Sequence, residues 1–396
     1  MKFANKGLVS AMLAILGASW FGSAQAVPAF AHKYEKSCSY CHTAWPQLNA
    51  KGRKFKEMGY RFKEDLKGET KEASYMEEFP VGAIIVSRPY DKKSSGDREM
   101  HGIHEMELFL AGTVNKNVST FFEFESEDEA EWAVEVGHAV VNYRVDDAVN
   151  LQLSWAPMFF ADPYGTIVDH FSPTVSHYAL VHNEGGTVDG PAAADFGGAD
   201  FNGTDSGALN DHRHNVMVNG RIDKLFYIAG ISGVANSATA EKDSVISGRL
   251  AYDINDNMMV GALVVNGKSS GAGEDLSFTR TGFDFMGDFG NSRLQVGYIT
   301  ANDDQVGGGS TSDNVLSIQA IHTYKTEKGK PTWVPVARYE KYTKNDGDDS
   351  YADLVLGASY YLSENVKTML EFKSDLSTPS GVDKESRTTL QINMGL

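Results

Sequence analysis

The chain is almost without cysteine: two residues, Cys38 and Cys41, in 396, which excludes a disulfide framework. It is short of positive charge, with 36 Lys and Arg against 53 Asp and Glu and a formal net charge of −17, which argues against a nucleic-acid binder. Long apolar runs are missing as well. After the N-terminus no stretch approaches the ~20 residues of a membrane helix, and a mean hydropathy of −0.32 is too polar for a helical membrane protein. Disorder is excluded from the other side, because 41% hydrophobic and 11% aromatic residues can bury a core. The length leaves room for two or three ordinary domains, or for one large β-barrel with a small attachment.

The first apolar run is an address. Lys2 and Lys6 precede a short apolar core from Leu8 to Phe21, and Ala24-Gln25-Ala26 fits the small-x-small rule of a signal-peptide cleavage site. Residues 1–26 are therefore expected to be removed, with the mature chain working outside the bacterial cytoplasm.

The two cysteines follow at once, in Cys38-Ser39-Tyr40-Cys41-His42. This spacing is the c-type haem attachment motif: two thiols add across the haem vinyl groups, and the adjacent imidazole meets iron from the proximal face. A structural zinc site would need a second ligand pair, which the chain does not have. A thioredoxin-like pair would need a βαβ context, and a disulfide across two residues would be strained. One covalent haem c on Cys38 and Cys41, with His42 as proximal ligand, is the expectation. The distal ligand has several candidates. Leu48, Phe55 and Met58 fall on one face of a helix ending at Gly59, so Met58 could offer its thioether; His32, another histidine of the chain or an open position are the alternatives. Lys51, Arg53, Lys54, Lys56, Arg61 and Lys63 read either as partners for haem propionates or as a solvated helix face.

From about residue 80 the period changes from helical to alternating. Ala352, Leu354, Leu356, Ala358, Tyr360 and Leu362 share one face, and Leu390, Ile392, Met394 and Leu396 repeat the pattern at the C-terminus. Alternation alone does not separate a barrel from a sandwich, but the joints do. Sixteen strand candidates span 80–90, 99–114, 118–126, 131–145, 148–160, 211–222, 225–235, 243–254, 258–267, 275–286, 292–301, 314–325, 331–343, 351–362, 366–375 and 386–396, and the joints between them alternate between tight turns and longer loops. That sorting, with an even strand count, belongs to a bacterial outer-membrane barrel. Trp333, Tyr339, Tyr342, Tyr360 and Tyr361 sit near strand ends, where aromatic girdles form. The adjacent Phe121 and Phe122 break the alternation and call for a bulge that one strand's pattern cannot place. The expected fold is mostly β: residues 1–26 a signal peptide, 27–79 a small helical monohaem domain, and 80–396 a transmembrane barrel of about sixteen antiparallel strands.

The N-terminal motifs carry a resemblance. Pro28-Ala29-Phe30-Ala31, Cys38-x-x-Cys41-His42, Pro46-x-Leu48, Gly52-Arg53-x-Phe55-Lys56 and Gly59-Tyr60 together resemble the fused outer-membrane monohaem cytochrome-porins of iron-oxidising bacteria. The resemblance implies a haem domain plugged into its own porin in the cell outer membrane. It implies oxidation of extracellular Fe(II), with electrons passed to a periplasmic carrier such as a soluble cytochrome c. His32 stands where that family is expected to carry Arg.

Electrons taken from an extracellular donor must cross an apolar band about 25 Å tall, and a haem held inside the lumen shortens the transfer on both sides. Candidate iron-contacting groups are Glu125, Glu127, Asp128 and Glu129, Asp303 and Asp304, and Asp346, Asp348 and Asp349, with the histidine pairs His101/His104 and His212/His214. No nucleophile–base constellation or phosphate loop is present. With the haem motif and the resemblance, an electron-transfer protein with Fe(II)-oxidising activity is the favoured class. The alternatives are a conduit for another extracellular donor or acceptor, and a solute porin with a haem plug.

Overall fold

The computed structural model describes residues 28–66, 81–168, 172–176, 209–233, 245–271, 274–304, 307–344 and 349–396. The N-terminal segment forms helix α1 (Pro28–Tyr34), a 3₁₀ turn over Cys38–Tyr40, the two short strands β1 (His42–Ala44) and β2 (Gln47–Leu48), helix α2 (Ala50–Glu57), and a last 3₁₀ turn over Lys63–Leu66. The barrel strands are β3 (Val81–Lys93), β4 (Arg98–Thr113), β5 (Val118–Glu127), β6 (Val134–Arg144), β7 (Asn150–Ala156), β8 (Arg213–Ile222), β9 (Leu225–Ser232), β10 (Val245–Asn255), β11 (Met258–Gly271), β12 (Glu274–Phe289), β13 (Ser292–Asp304), β14 (Ser310–His322), β15 (Trp333–Lys344), β16 (Asp349–Ser363), β17 (Val366–Ser377) and β18 (Ser386–Gly395). Sequence neighbours are neighbours in one closed ring, and β18 pairs back onto β3 through Leu390↔Tyr90 and Gly395↔Ile84. Each of the sixteen strand candidates overlaps one of these strands.

The ring forms because side chains alternate across each strand. Leu153, Val264, Phe283 and Leu370 are 58%, 55%, 64% and 56% exposed on the outside, while their neighbours Gln152, Val265, Asp284 and Glu371 are buried within. An apolar outer belt over a polar lumen is the arrangement that acyl chains solvate. The lumen side is bound by charge pairs. Arg249 is fully buried and meets Asp162 at 2.6 Å and Asp284 at 2.5 Å; Arg280 meets Asp303 at 2.6 Å, and Arg338 meets Glu340 at 2.9 Å.

Several expectations need correction. The joints do not sort strictly by length: β11 and β12 extend to Gly271 and from Glu274 in one long hairpin, while β14 and β15 are separated by residues 323–332 at the mouth otherwise closed by tight turns. Strand length beyond the apolar belt costs nothing in water, so a hairpin can rise where a loop was expected. The fifth barrel strand stops at Ala156 rather than running to residue 160, and residues 157–168 turn inward, where Met158, Phe159, Phe160, Tyr164, Ile167 and Val168 are all buried. Trp333 and Tyr360 stand outside with ring centroids 4.7 Å apart, but Tyr342 and Tyr361 are buried in the lumen, as the two-residue period requires of positions offset by one.

The bulge falls in β6. Glu123 faces His138 and Phe124 faces Val136, so Gly137 is the extra residue. Val134 and Val136 are exposed on the outer face, and a regular strand would put position 138 beside them. The inserted residue reverses the parity and turns His138 into the lumen, where it is buried.

Candidate functional site: a plugged lumen around the CxxCH turn

The N-terminal segment occupies the barrel mouth that carries most of the tight turns, and polar contacts to those turns and strand ends hold it there. Arg53 donates to the Asp256 carbonyl at 3.1 Å and lies 3.6 Å from Asp288. Arg61 is fully buried and donates to the Lys116 carbonyl at 3.1 Å. The Arg221 guanidinium grips both Glu57 oxygens at 2.9 and 2.5 Å, and Arg293 donates to Gln47 at 2.7 Å and to the Leu48 carbonyl at 2.9 Å. The Ser39 amide donates to Glu364 at 3.0 Å. Two of the six basic residues expected on a solvated face or around propionates, Arg53 and Arg61, are thus structural anchors. Lys51 and Lys63 are exposed, Lys54 lies 3.9 Å from Glu57, and Lys56 is buried.

Within the plug, Asn49 joins the cysteine turn to the helix. Its Oδ1 accepts from the Lys51 and Gly52 amides, capping α2, while its Nδ2 donates to the Tyr40 carbonyl at 3.1 Å and its own amide to the Cys41 carbonyl at 2.9 Å. The helix then passes so close that a Cβ at Gly52 would stand 2.1 Å from the Cys41 oxygen. His42 is oriented by its neighbour: Nδ1 lies 3.0 Å from the Pro46 carbonyl. A carbonyl only accepts, so the neutral ring carries its proton on Nδ1 and keeps the Nε2 lone pair for a metal. Burial holds this imidazole neutral, pushing its pKa down to about 4. Both thiols are free, and burial pushes them up to about 12 at Cys38 and about 11 at Cys41.

Cys38, Cys41 and His42 line a lumen cavity of about 560 Å³ between the plug and the wall of β3–β6, β17 and β18. That volume lies in the range of cofactor sites. Phe55, Tyr60, Phe109, Phe121 and Phe160 supply flat apolar surface for a porphyrin, and Arg88, Lys56 and Lys367 supply cations for propionates. Burial lowers Lys56 to about 7, so an anionic group in the cavity would restore its charge. Paired thiols, an oriented imidazole, aromatic walls and buried cations all fit a covalently held haem.

The cavity places the other candidates. Met58 is buried at the C-terminal cap of α2 and is not among the cavity-lining residues; the His32 side chain lies outside the described residues. His212 lines the cavity, but His214 is on the exposed face against Trp155, so that pair is divided. His138, which no sequence motif singled out, lines the cavity with its ring 4.8 Å from that of His212, and its Nδ1 donates to Glu123 Oε2 at 2.5 Å. A carboxylate on one ring nitrogen is the arrangement that orients metal-binding histidines. Asp303 is committed to Arg280, Asp304 accepts from the Ser277 amide, and Asp346 and Asp348 lie outside the described residues. Glu125 and Glu127 point into the cavity with Glu105, Glu107 and Glu123, whereas Asp128 and Glu129 belong to a separate cluster with His101 and His104 at the opposite mouth.

Fold and site together define a class: a sixteen-strand antiparallel barrel with an N-terminal CxxCH plug in its lumen. No protein-family model and no curated protein matches the sequence. Solved structures share the barrel. The chain is similar to an anion-selective porin from Comamonas acidovorans, with a TM-score of 0.58 and 15% identity over 80% of this chain and 98% of that one. It is similar to outer-membrane expressed OmpT of Vibrio cholerae, with a TM-score of 0.55 and 11% identity over 83% of this chain and 100% of that one. The outer membrane channel DcaP of Acinetobacter baumannii aligns with a TM-score of 0.52 and 10% identity over 83% of this chain and 99% of that one. At these identities the likeness is one of fold: a porin-like barrel.

Proposed function

We propose that the protein is an outer-membrane c-type cytochrome built into a porin-like barrel, which takes electrons from extracellular Fe(II) and delivers them to a periplasmic carrier such as a soluble cytochrome c. The observation that carries this reading is the opening of Cys38, Cys41 and His42 onto one lumen cavity of about 560 Å³. When bound, the haem supplies a one-electron couple. The chain's own residues do the rest. Cys38 and Cys41 would hold the group through their thiols, His42 would offer Nε2 to its iron, and the aromatic wall would keep water out. His138, held by Glu123, faces the cavity and would offer a second imidazole to the iron, whereas Met58 is not among the cavity-lining residues. On the tight-turn side, which is periplasmic in outer-membrane barrels, Ser39 and Tyr40 of the cysteine turn also line a second cavity of about 510 Å³ near the mouth, which brings the attachment point within reach of a soluble partner. The test is to mix detergent-solubilised protein anaerobically with Fe(II) and follow the haem spectrum. Reduction with one electron per Fe(II) is expected, and no reduction with the haem present refutes the reading.

The likeness to porins favours a second reading, a solute channel whose haem is a plug. Among the described residues, the N-terminal segment sits in one mouth and residues 157–168 reach across the lumen, held by Arg249–Asp162, by Thr166 to Asp284 at 2.5 Å, and by Gln295 to the Gly165 carbonyl at 3.0 Å. Conductance in planar bilayers separates the two readings, with porin-like currents supporting the channel.

A further inference from the structure

We infer that His101, His104, Asp128 and Glu129 form a binding site for one divalent transition-metal ion at the barrel mouth opposite the plug. Each residue offers one ligand atom, and these atoms all lie within 4.8 Å of one another. The site is assembled from two chain segments. His101 and His104 come from the N-terminal end of strand β4, and Asp128 and Glu129 open the joint between β5 and β6. The Asp128 amide donates to the His104 carbonyl at 2.9 Å, which fixes the joint against the strand.

Asp128 is the centre of the group. Its two oxygens stand 2.6 Å from His101 Nδ1 and 2.9 Å from His104 Nδ1, and Glu129 Oε2 is 3.0 Å from the same His104 nitrogen. Bonds of 2.0–2.2 Å to one ion would bring ligand atoms about 3–4 Å apart, so binding asks only for small adjustments. Two imidazoles with carboxylates select a borderline ion such as Fe(II) or Zn(II) over Mg(II) or Ca(II), which prefer all-oxygen sites. His104 is 3% exposed and His101 and Asp128 are half-buried, so three of the four groups are walled, with Glu129 open to water on the outer side.

Its position gives it a role. Arg88 faces His101 across the β3–β4 pairing, and Glu127 directly precedes Asp128; both line the cavity that also contains Cys38, Cys41 and His42. The metal pocket therefore sits on the rim of the haem cavity, with Glu125, Glu105 and Glu107 along the wall between them. As a donor site it deepens the function proposed above and rests on it: an Fe(II) ion held here gives one electron to the haem and leaves as Fe(III).

The test uses the full chain in detergent and begins with redox-inert Zn(II), titrated calorimetrically against Mg(II). Wild type should bind one Zn(II) with clear preference over Mg(II), and His101→Ala with His104→Ala should weaken Zn(II) by more than about tenfold. Asp128→Asn keeps the side-chain size and should weaken it similarly, which covers the case of a double variant that misfolds. Equal Zn(II) affinity in wild type and Asp128→Asn overturns the site. The haem-free Cys38→Ala, Cys41→Ala protein should still bind Zn(II); in the haem-loaded wild type, absence of Fe(II)-driven reduction with intact Zn(II) binding would refute the electron-transfer reading and leave the site standing. In the haem-loaded Asp128→Asn protein, reduction by sub-saturating Fe(II) should slow at least tenfold while reduction by dithionite is unchanged; an unchanged Fe(II) rate overturns the donor role.

Discussion

Two sides of the same lumen carry opposite kinds of charge chemistry. On β10 to β16, buried arginines are matched to carboxylates: Arg249 to Asp162 and Asp284, Arg280 to Asp303, Arg338 to Glu340. On β4 and β5, five glutamates line the cavity, and pairing across the strands sets Glu107 against Glu125 and Glu105 against Glu127. The first arrangement closes space, since each of these arginines meets a carboxylate inside the wall, although Glu340 also faces Asp353 across β15 and β16. The second keeps like charges facing each other beside a cavity, which costs stability. The glutamate wall is also the one that faces Cys38, Cys41 and His42 across the larger lumen cavity.

The largest break in this comparison comes at the cavity floor. Replacing Cys38 and Cys41 by Ala should leave a barrel that folds and inserts but has no haem staining after denaturing electrophoresis; full retention of covalent haem would contradict the assignment. Next comes the closed wall. Arg249→Met leaves Asp162 and Asp284 buried without their partner and should cost about 3–5 kcal/mol in unfolding free energy, read from urea titration of the detergent-solubilised protein. A shift below 1 kcal/mol would show that the pair network is not what holds the inward segment. A smaller, spectroscopic effect is expected at the bulge. His138→Ala should change the ferric near-infrared spectrum and the midpoint potential, whereas Met58→Leu, which conserves volume, should leave both unchanged; the reverse pattern would return the distal position to Met58. The smallest effect tests the open wall. Glu125→Gln removes one of two facing like charges and should stabilise the barrel by less than about 1 kcal/mol, opposite in sign to Arg249→Met.

The strands were legible because each carries its own signal: apolar residues at every second position, bounded by Asn, Asp and Gly at the tight turns. Cys38, Cys41 and His42 were legible for a similar reason, since the motif is five contiguous residues. Features that belong to pairs of segments were not. The bulge at Gly137 exists only as a mismatch between β5 and β6, so the strand pattern around Phe121 showed that something was wrong without showing where. His138 was hidden with it. The clustering of His101 and His104 with Asp128 and Glu129 needs the register of β4 and the joint after β5 together, although each half was visible as a pair of candidate ligands. The inward course of residues 157–168 had no local mark, because Met158, Phe159 and Phe160 read equally well as the end of a strand.

Gly137 also lets the two halves of β6 disagree in parity without either changing its surroundings. The half before it is set by Val134 and Val136 on the outer face, the half after it by His138 in the lumen. Removing the extra residue would make Val136 and the histidine immediate neighbours opposite Phe124 and Glu123, and neighbours on a regular strand face opposite sides, so both would keep their faces and the histidine its carboxylate partner. In a strand that separates two solvents, a bulge is slack: one residue can be gained or lost there without any side chain changing solvent.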